Sequence, residues 1–151
     1  MSNTDLRGTP RAAWPHFCTI GTRWMDNDAY QHVNNVVYYS YFDTAVNRFL
    51  IDKGVLDIHA DQIVGLVVDT GCSYFRSISF PDTVHVGMRV AKMGNSSVRY
   101  ELALYRNDEE QPAAAGHFVH VYVDRESNRP STIPEPVRAV LTVLALPILT
   151  A

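Results

Sequence analysis

The sequence predicts an α+β domain in which one antiparallel sheet of about five strands wraps around one long buried helix. Two observations carry this expectation. From Asn35 to about Ile51 there is no Gly or Pro and apolar residues recur at helical spacing, whereas from Ile63 to Val123 the hydrophobic pattern keeps period two. Length sets the scale: 151 residues suffice for one domain with a core, since a chain of about 150 residues buries roughly 70% of its unfolded surface.

Residues 1–15 are rich in Pro, Arg and small polar residues without periodicity, and read as a flexible arm ahead of a single domain over 16–151. Residues 17–23 suit a first strand. In the helical segment Ser40, Asp43, Thr44 and Asn47 share one narrow stripe, while residues such as Val37, Phe42, Val46 and Leu50 fill the rest. A surface helix shows about half of itself to water, so this one is expected to be enclosed by other elements or by a partner chain. Gly54 is placed to stop it. Strands follow over 63–75, around Val84–Ala91, around Val98–Leu104, and over 113–123, separated by turn chemistry at FPD (80–82), GNSS (94–97) and NDEEQP (107–112). His85, His117 and His120 fall in alternating strands and read as ordinary sheet histidines. Pro134 and Pro136 open a final helix, near Val137 to Leu146, with Glu135 where the helix dipole favours an acid. Short connections imply that consecutive strands pair as antiparallel neighbours. The outer sheet face is expected to be screened by the terminal helix and a second copy of the chain, making a homodimer or homotetramer that also closes exposed strand edges.

Composition excludes several classes. Thirteen basic against sixteen acidic residues give a net charge of −3, and the cations are scattered singly, which argues against nucleic acid. No segment reaches the roughly 20 apolar residues of a spanning helix, the longest, Ala139–Leu149, being broken by Pro147. The amino terminus lacks a secretory apolar segment, and the two cysteines, Cys18 and Cys72, form no CxxC and read as inert core thiols. A cytoplasmic location is expected.

The informative segment is RWMDNDAYQHVNNVVYYSYFDTA, residues 23–45, where Asp26, Asp28, His32, Asn34 and Asn35 crowd the start of the apolar helix. Buried polar groups need partners and buried charges are costly, so this crowding points to a site. Asn34 or Asn35 is the natural helix cap, which leaves the acids another role. An EF-hand fails, because its sixth position would be Gln31 rather than Gly and its twelfth Val37 rather than Glu. No HExxH motif or Cys pair supports zinc, so neither metal nor cofactor is expected. A carboxylate beside a helix amino terminus suits hydrolysis of an activated acyl group: it attacks a carbonyl or deprotonates water, while free helix amides receive the developing oxyanion. A thioester, with its poorly stabilised carbonyl and good leaving group, is the natural target. The absence of GxSxG argues against a serine hydrolase.

These residues resemble the signature of the hot-dog-fold thioesterases related to 4-hydroxybenzoyl-CoA thioesterase, in which Asp-x-Asp is followed by His-Val-Asn-Asn and an aromatic helix. QHVNNVVY is also similar to plant acyl-ACP thioesterases. The resemblance implies a helix wrapped by about five strands, chains paired with sites at their interface, and acyl-CoA hydrolysis without a cofactor. It implies Asp28 as the catalytic carboxylate and the Asn35 amide as the group polarising the thioester carbonyl. Asp26, His32, Asn34 and Tyr38 then support the loop and bind substrate. Tyr30 stands where the plant enzymes carry Asn, which places the chemistry on Asp28. An acyl-ACP substrate and a non-catalytic acyl-binding or assembly module are the alternatives.

Overall fold

The structure, a computed structural model, describes residues 3–145, so Leu146, the expected end of the last helix, lies outside the described residues. Five strands form one sheet: β1 His16–Gly21, β2 Ile63–Tyr74, β3 Thr83–Met93, β4 Ser97–Arg106 and β5 Ala114–Asp124. Two helices accompany it, α1 Asn35–Asp52 and α2 Glu135–Leu144. The arrangement is the hot-dog fold, α+β, with the long helix against the concave face of the sheet.

All pairings are antiparallel, in the order β1-β3-β4-β5-β2. Consecutive pairing holds for β3–β4 and β4–β5 but not for β2 and β3, which correct the expectation by lying apart. The reason is in the connection, residues 75–82. Phe75 N and Arg76 N both donate to Ala113 O at 2.8 and 3.0 Å, and fully buried Ile78 accepts from Val33 N at 2.7 Å. The segment therefore runs past the loop ahead of α1 instead of turning back on β2.

The inner core joins α1 to alternate residues of the strands. Phe42, Ala45 and Val46 of α1 are fully buried, as are Val84, Val86, Met88, Leu102 and Leu104. Each of these side chains other than Ala45 contributes roughly 1.5–3 kcal/mol by leaving water, before entropic costs. Gly116 of β5 lets the helix come this close: a Cβ there would lie 2.5 Å from Phe42 Cε2. Asn34 caps α1 by accepting from Val36 N at 3.0 Å, and Gly54, at φ +72°, follows its end in the left-handed conformation that glycine tolerates. Within one chain the enclosure is one-sided, since Val36 is 66% exposed.

The covering of the outer face differs from expectation. α2 packs into the inner core through Val137, Leu141 and Leu144. Residues of the amino-terminal segment cover the outer face instead: Leu6 and Trp14 are buried with Ala103, Tyr105 and Ala115. Trp14 Nε1 donates to Tyr105 Oη at 2.7 Å, which donates to Thr9 O at 2.6 Å. Gly87, Ala103 and Ala115 leave room for this, and a Cβ on Gly87 would sit 2.7 Å from Trp14 Cγ. Two short 3-10 turns, Asn3–Leu6 and Arg11–Ala13, have no sequence periodicity to betray such packing.

β2 is an edge strand and exposes Leu66, Val67 and Val68. Among the described residues no helix is long and apolar enough to cross a membrane.

Candidate active site

The segment ahead of α1 folds as a narrow hairpin. Asn34 N donates to Asp26 O at 2.9 Å, Asn27 bridges Val33, and Asp28 N donates to His32 O at 2.9 Å. Its tip turns through Gln31, at φ 68°. Asp-x-Asp and His-x-Asn thus face each other across two short arms, a relation that spacing alone does not reveal.

Asp26 is 1% exposed, and its carboxylate accepts from Arg23 N (2.8 Å), Arg23 Nε (3.2 Å), Arg23 Nη2 (3.0 Å) and Tyr41 Oη (2.8 Å). Burial alone would raise its pKa; the Arg23 amide, the Tyr41 hydroxyl and the Arg23 guanidinium outweigh that and hold it below the usual carboxylate value. Asp26 is therefore an ionised anchor that ties the hairpin to the second turn of α1. Burial, and then the Asp26 carboxylate, raise Tyr41 well above an ordinary phenol.

Asp28 is half-buried. Its Oδ1 accepts from Tyr30 N at 2.9 Å, and Oδ2 has no protein donor among the described residues. Asn35 is the first helical residue; its amide has no acceptor among the described residues, and its carbonyl accepts from Tyr74 Oη at 2.8 Å. The positive end of the α1 dipole adds to that amide. His32 is exposed. Tyr38 is buried, its ring set edgewise on Tyr74 with centroids 4.8 Å apart, and burial pushes its hydroxyl up to about 12.

A cleft of about 320 Å³ brings together His32, Val33, Asn35 and Tyr38 with Tyr74, Phe75, Arg76 and Ser77. Asp26, Asp28 and Asn34 do not line it. Asp26 is consumed by its anchors, Asn34 by the cap, and Asp28 Oδ1 by its own turn. Tyr74 and Arg76 escaped sequence reading because the end of β2 reaches the site only through the crossover after it. Arg76 is the cation of the cleft; its 3.3 Å pair with Glu109 is too exposed to hold it firmly. A larger hollow, about 390 Å³, lies at the other end of α1, away from the hairpin. The cleft is the better candidate for chemistry because Asn35, whose helix-start amide is unpartnered among the described residues, lines it and a half-free carboxylate stands in the adjoining hairpin.

A family model described as thioesterase-like superfamily matches residues 22–141, from the hairpin into α2. Among solved structures, the PA5185 protein of Pseudomonas aeruginosa PAO1 is 51% identical, with 90% of this chain and 95% of that chain covered and a TM-score of 0.88. A thioesterase from Thermus thermophilus, solved with coenzyme A and zinc, is 31% identical, with 87% of this chain and 95% of that chain covered and a TM-score of 0.72. YsmA of Bacillus subtilis is 23% identical over 119 residues, 79% of this chain and 80% of that protein. Among the described residues of this chain, no three His, Cys, Asp or Glu side chains are gathered as a metal site.

Proposed function

Because the chain belongs to the thioesterase-like superfamily, we propose that it hydrolyses acyl-CoA thioesters to free acid and CoA, with Asp28 as the acting carboxylate. Thioester hydrolysis is the reaction class supported by the family, and the choice of coenzyme A as carrier is supported by a relative 31% identical to this chain that was solved with it. The observation that carries the reading is the unpartnered amide of Asn35, a residue that starts an 18-residue helix and lines a cleft beside the hairpin of Asp28.

In the proposed reaction the thioester carbonyl oxygen lies on the Asn35 amide. Asp28, through the oxygen not held by Tyr30, either attacks the carbonyl carbon or takes a proton from the attacking water. The negative charge that develops on the carbonyl oxygen is met by the amide and the helix dipole, and collapse of the tetrahedral intermediate expels the thiolate; where Asp28 is the nucleophile this leaves an acyl-Asp28 anhydride, which water then hydrolyses to the free acid and the Asp28 carboxylate. Asp26 keeps the hairpin in place through Tyr41, Asn34 keeps the first helical turn ordered, and His32 and Tyr38 border the bound acyl group.

A second copy of the chain completes this reading. β2 offers an unpaired edge with Leu66, Val67 and Val68 exposed, and pairing two such edges removes apolar surface and satisfies open backbone groups. The cleft, bordered by the end of β2, then lies close to that interface.

Release of free thiol from a panel of aryl and fatty acyl-CoAs tests the proposal, repeated with Asp28→Asn. Turnover is expected on at least one class, with a loss of about 10²–10⁴-fold in kcat for the variant, the worth of a positioned acid-base group. No cleavage of any acyl-CoA would remove the activity. Full activity in Asp28→Asn would remove Asp28 from it.

A further inference from the structure

The hollow at the carboxyl end of α1 carries polar groups that the hydrolytic reading does not use. Its walls come from Leu50 of α1, the turn at Val55, Ile63 and Gly65 of β2, and Val137 of α2, and its floor from His120 and Tyr122 of β5. His120, which the period-two pattern marks as an ordinary sheet histidine, is 3% exposed. Neither ring nitrogen has a hydrogen-bond partner among the described residues, and Nδ1 is fully enclosed. The Tyr122 hydroxyl likewise has no partner among them, and the neighbouring Tyr100 hydroxyl is buried without one, its ring 5.5 Å from that of His120. Buried polar atoms in native proteins are nearly always satisfied, so His120, unpartnered and lining the cavity beside the Tyr122 hydroxyl, points to a ligand that is not protein.

We propose that this cavity is a second binding site, for an uncharged, largely apolar molecule that bears one hydroxyl or carbonyl group, bound by His120 and Tyr122. It does not depend on thioester cleavage.

The lining sets the ligand class. Most of the wall is aliphatic, and neither Lys nor Arg lines it, which argues against recognition of phosphate or carboxylate. Two acids stand at the rim, Asp57 and Asp61, but they are engaged with backbone: Asp57 Oδ1 accepts from His59 N at 3.0 Å, and Asp61 Oδ2 from Asp57 N at 2.9 Å. They offer little to a cation and repel an anion. Asn47 is similarly occupied, donating to Asp43 Oδ1 at 2.9 Å. Burial holds His120 below the ordinary imidazole value, with Asp43 pulling weakly the other way, so the ring is neutral near pH 7 and presents one donor and one acceptor. Such a ring, with a phenol beside it, suits a single neutral polar group. The volume of about 390 Å³ falls within the usual range of ligand pockets, about 300–1,000 Å³. Gly65 leaves room for the His120 ring, since a Cβ there would lie 3.2 Å from Nδ1 and 3.4 Å from Tyr122 Cζ. Within one chain the site is remote from the Asn35 amide: twelve residues of α1 separate Asn35 from Asn47, about 18 Å at the helical rise.

The test is an NMR titration of the full chain with phenol and with toluene, matched in size and differing in the hydroxyl. Both are expected to shift the side-chain resonances of Leu50, Ile63 and Val137, with phenol alone moving the His120 ring nitrogens. His120→Phe, which keeps a ring against Tyr100, is expected to lower the ratio of phenol to toluene affinity about tenfold while toluene still binds. Gly65→Ala, which encroaches on Nδ1 without removing it, is expected to weaken phenol at least as much as toluene. Shifts confined to Tyr38, Tyr74 and His32 would overturn the proposal, as would an unchanged ratio in His120→Phe. Because binding is read directly, an outcome in which no acyl-CoA is hydrolysed leaves this test intact.

Discussion

Replacing Asn35 by proline separates the proposed oxyanion donor from the helix that carries it. Asn35 is the first residue of α1, where proline is favoured, because the amide it removes makes no helical hydrogen bond. Asn34 has φ −58° and ψ 137°, within the extended region that the residue before a proline prefers. The Asn34 cap on Val36 N and the Tyr74 bond to the Asn35 carbonyl use atoms that proline leaves in place. The folded state should therefore be unchanged or more stable by about 0.4–1 kcal/mol, the usual effect of proline at a compatible site. Catalysis should suffer, since loss of one oxyanion donor costs about 10²–10³-fold in kcat, or about 2.7–4 kcal/mol of barrier. Asn35→Ala, which keeps the amide and drops the side chain, is the control and should stay within a few-fold of the parent. Acyl-CoA turnover at saturating substrate reads the loss, and urea unfolding reads the fold. A folded Asn35→Pro protein with undiminished kcat would refute the assignment of that amide, because no other change in the variant compensates for it.

Three more perturbations follow from the same geometry. Tyr41→Phe removes a 2.8 Å bond to the ionised, buried Asp26 and should cost about 1.5–3 kcal/mol at neutral pH by urea unfolding. Because the folded pKa of Asp26 is depressed, the stabilisation is present above the unfolded carboxylate pKa and disappears as pH falls through the folded value. The difference between parent and variant should thus shrink in acid, and a difference constant with pH would count against an ionised anchor. Trp14→Ala should destabilise by about 3–5 kcal/mol in calorimetry, the cost of emptying a buried aromatic site, and a loss under about 1 kcal/mol would return residues 3–14 to a loose arm. On the proposed edge pairing the parent scatters light as a dimer or larger, and Val67→Lys with Val68→Lys, which places two charges on the β2 edge, should scatter as a monomer, whereas an unchanged mass would discard edge pairing.

Much of this molecule is legible along the chain because its signals are local. The 3.6-residue period marks α1 to within a residue of its end, and period two marks β3, β4 and β5, whose alternate residues turn into the inner core, whereas β2 exposes Leu66, Val67 and Val68 in succession. Asn34 and Asn35 announce a cap by lying just ahead of an apolar helical run, and the bond from Val36 N gives that role to Asn34. The amino-terminal segment does not, because Leu6 and Trp14 are buried by meeting Gly87, Ala103 and Ala115 across the sheet, and no repeat records such a meeting. The pairing of β2 with β5 is hidden for a related reason: an eight-residue connection suits either a loose hairpin or a crossover, and Ile78 beneath the hairpin selects the second.

The same division runs through the candidate site. The sequence alone determined the acids, histidine and asparagines before an apolar helix, and with them the kind of chemistry a carboxylate at a helix amino terminus performs. Tertiary structure decided that the two acids have different surroundings, Asp26 sealed beneath Tyr41 and Asp28 left half-free, although they are two residues apart in one loop. It also decided that Tyr74 and Arg76 border the cleft and that His120 lines a separate cavity. The physical reason is that hydrogen-bond satisfaction and desolvation depend on which distant segments arrive at a residue, and arrival is a property of the packed chain.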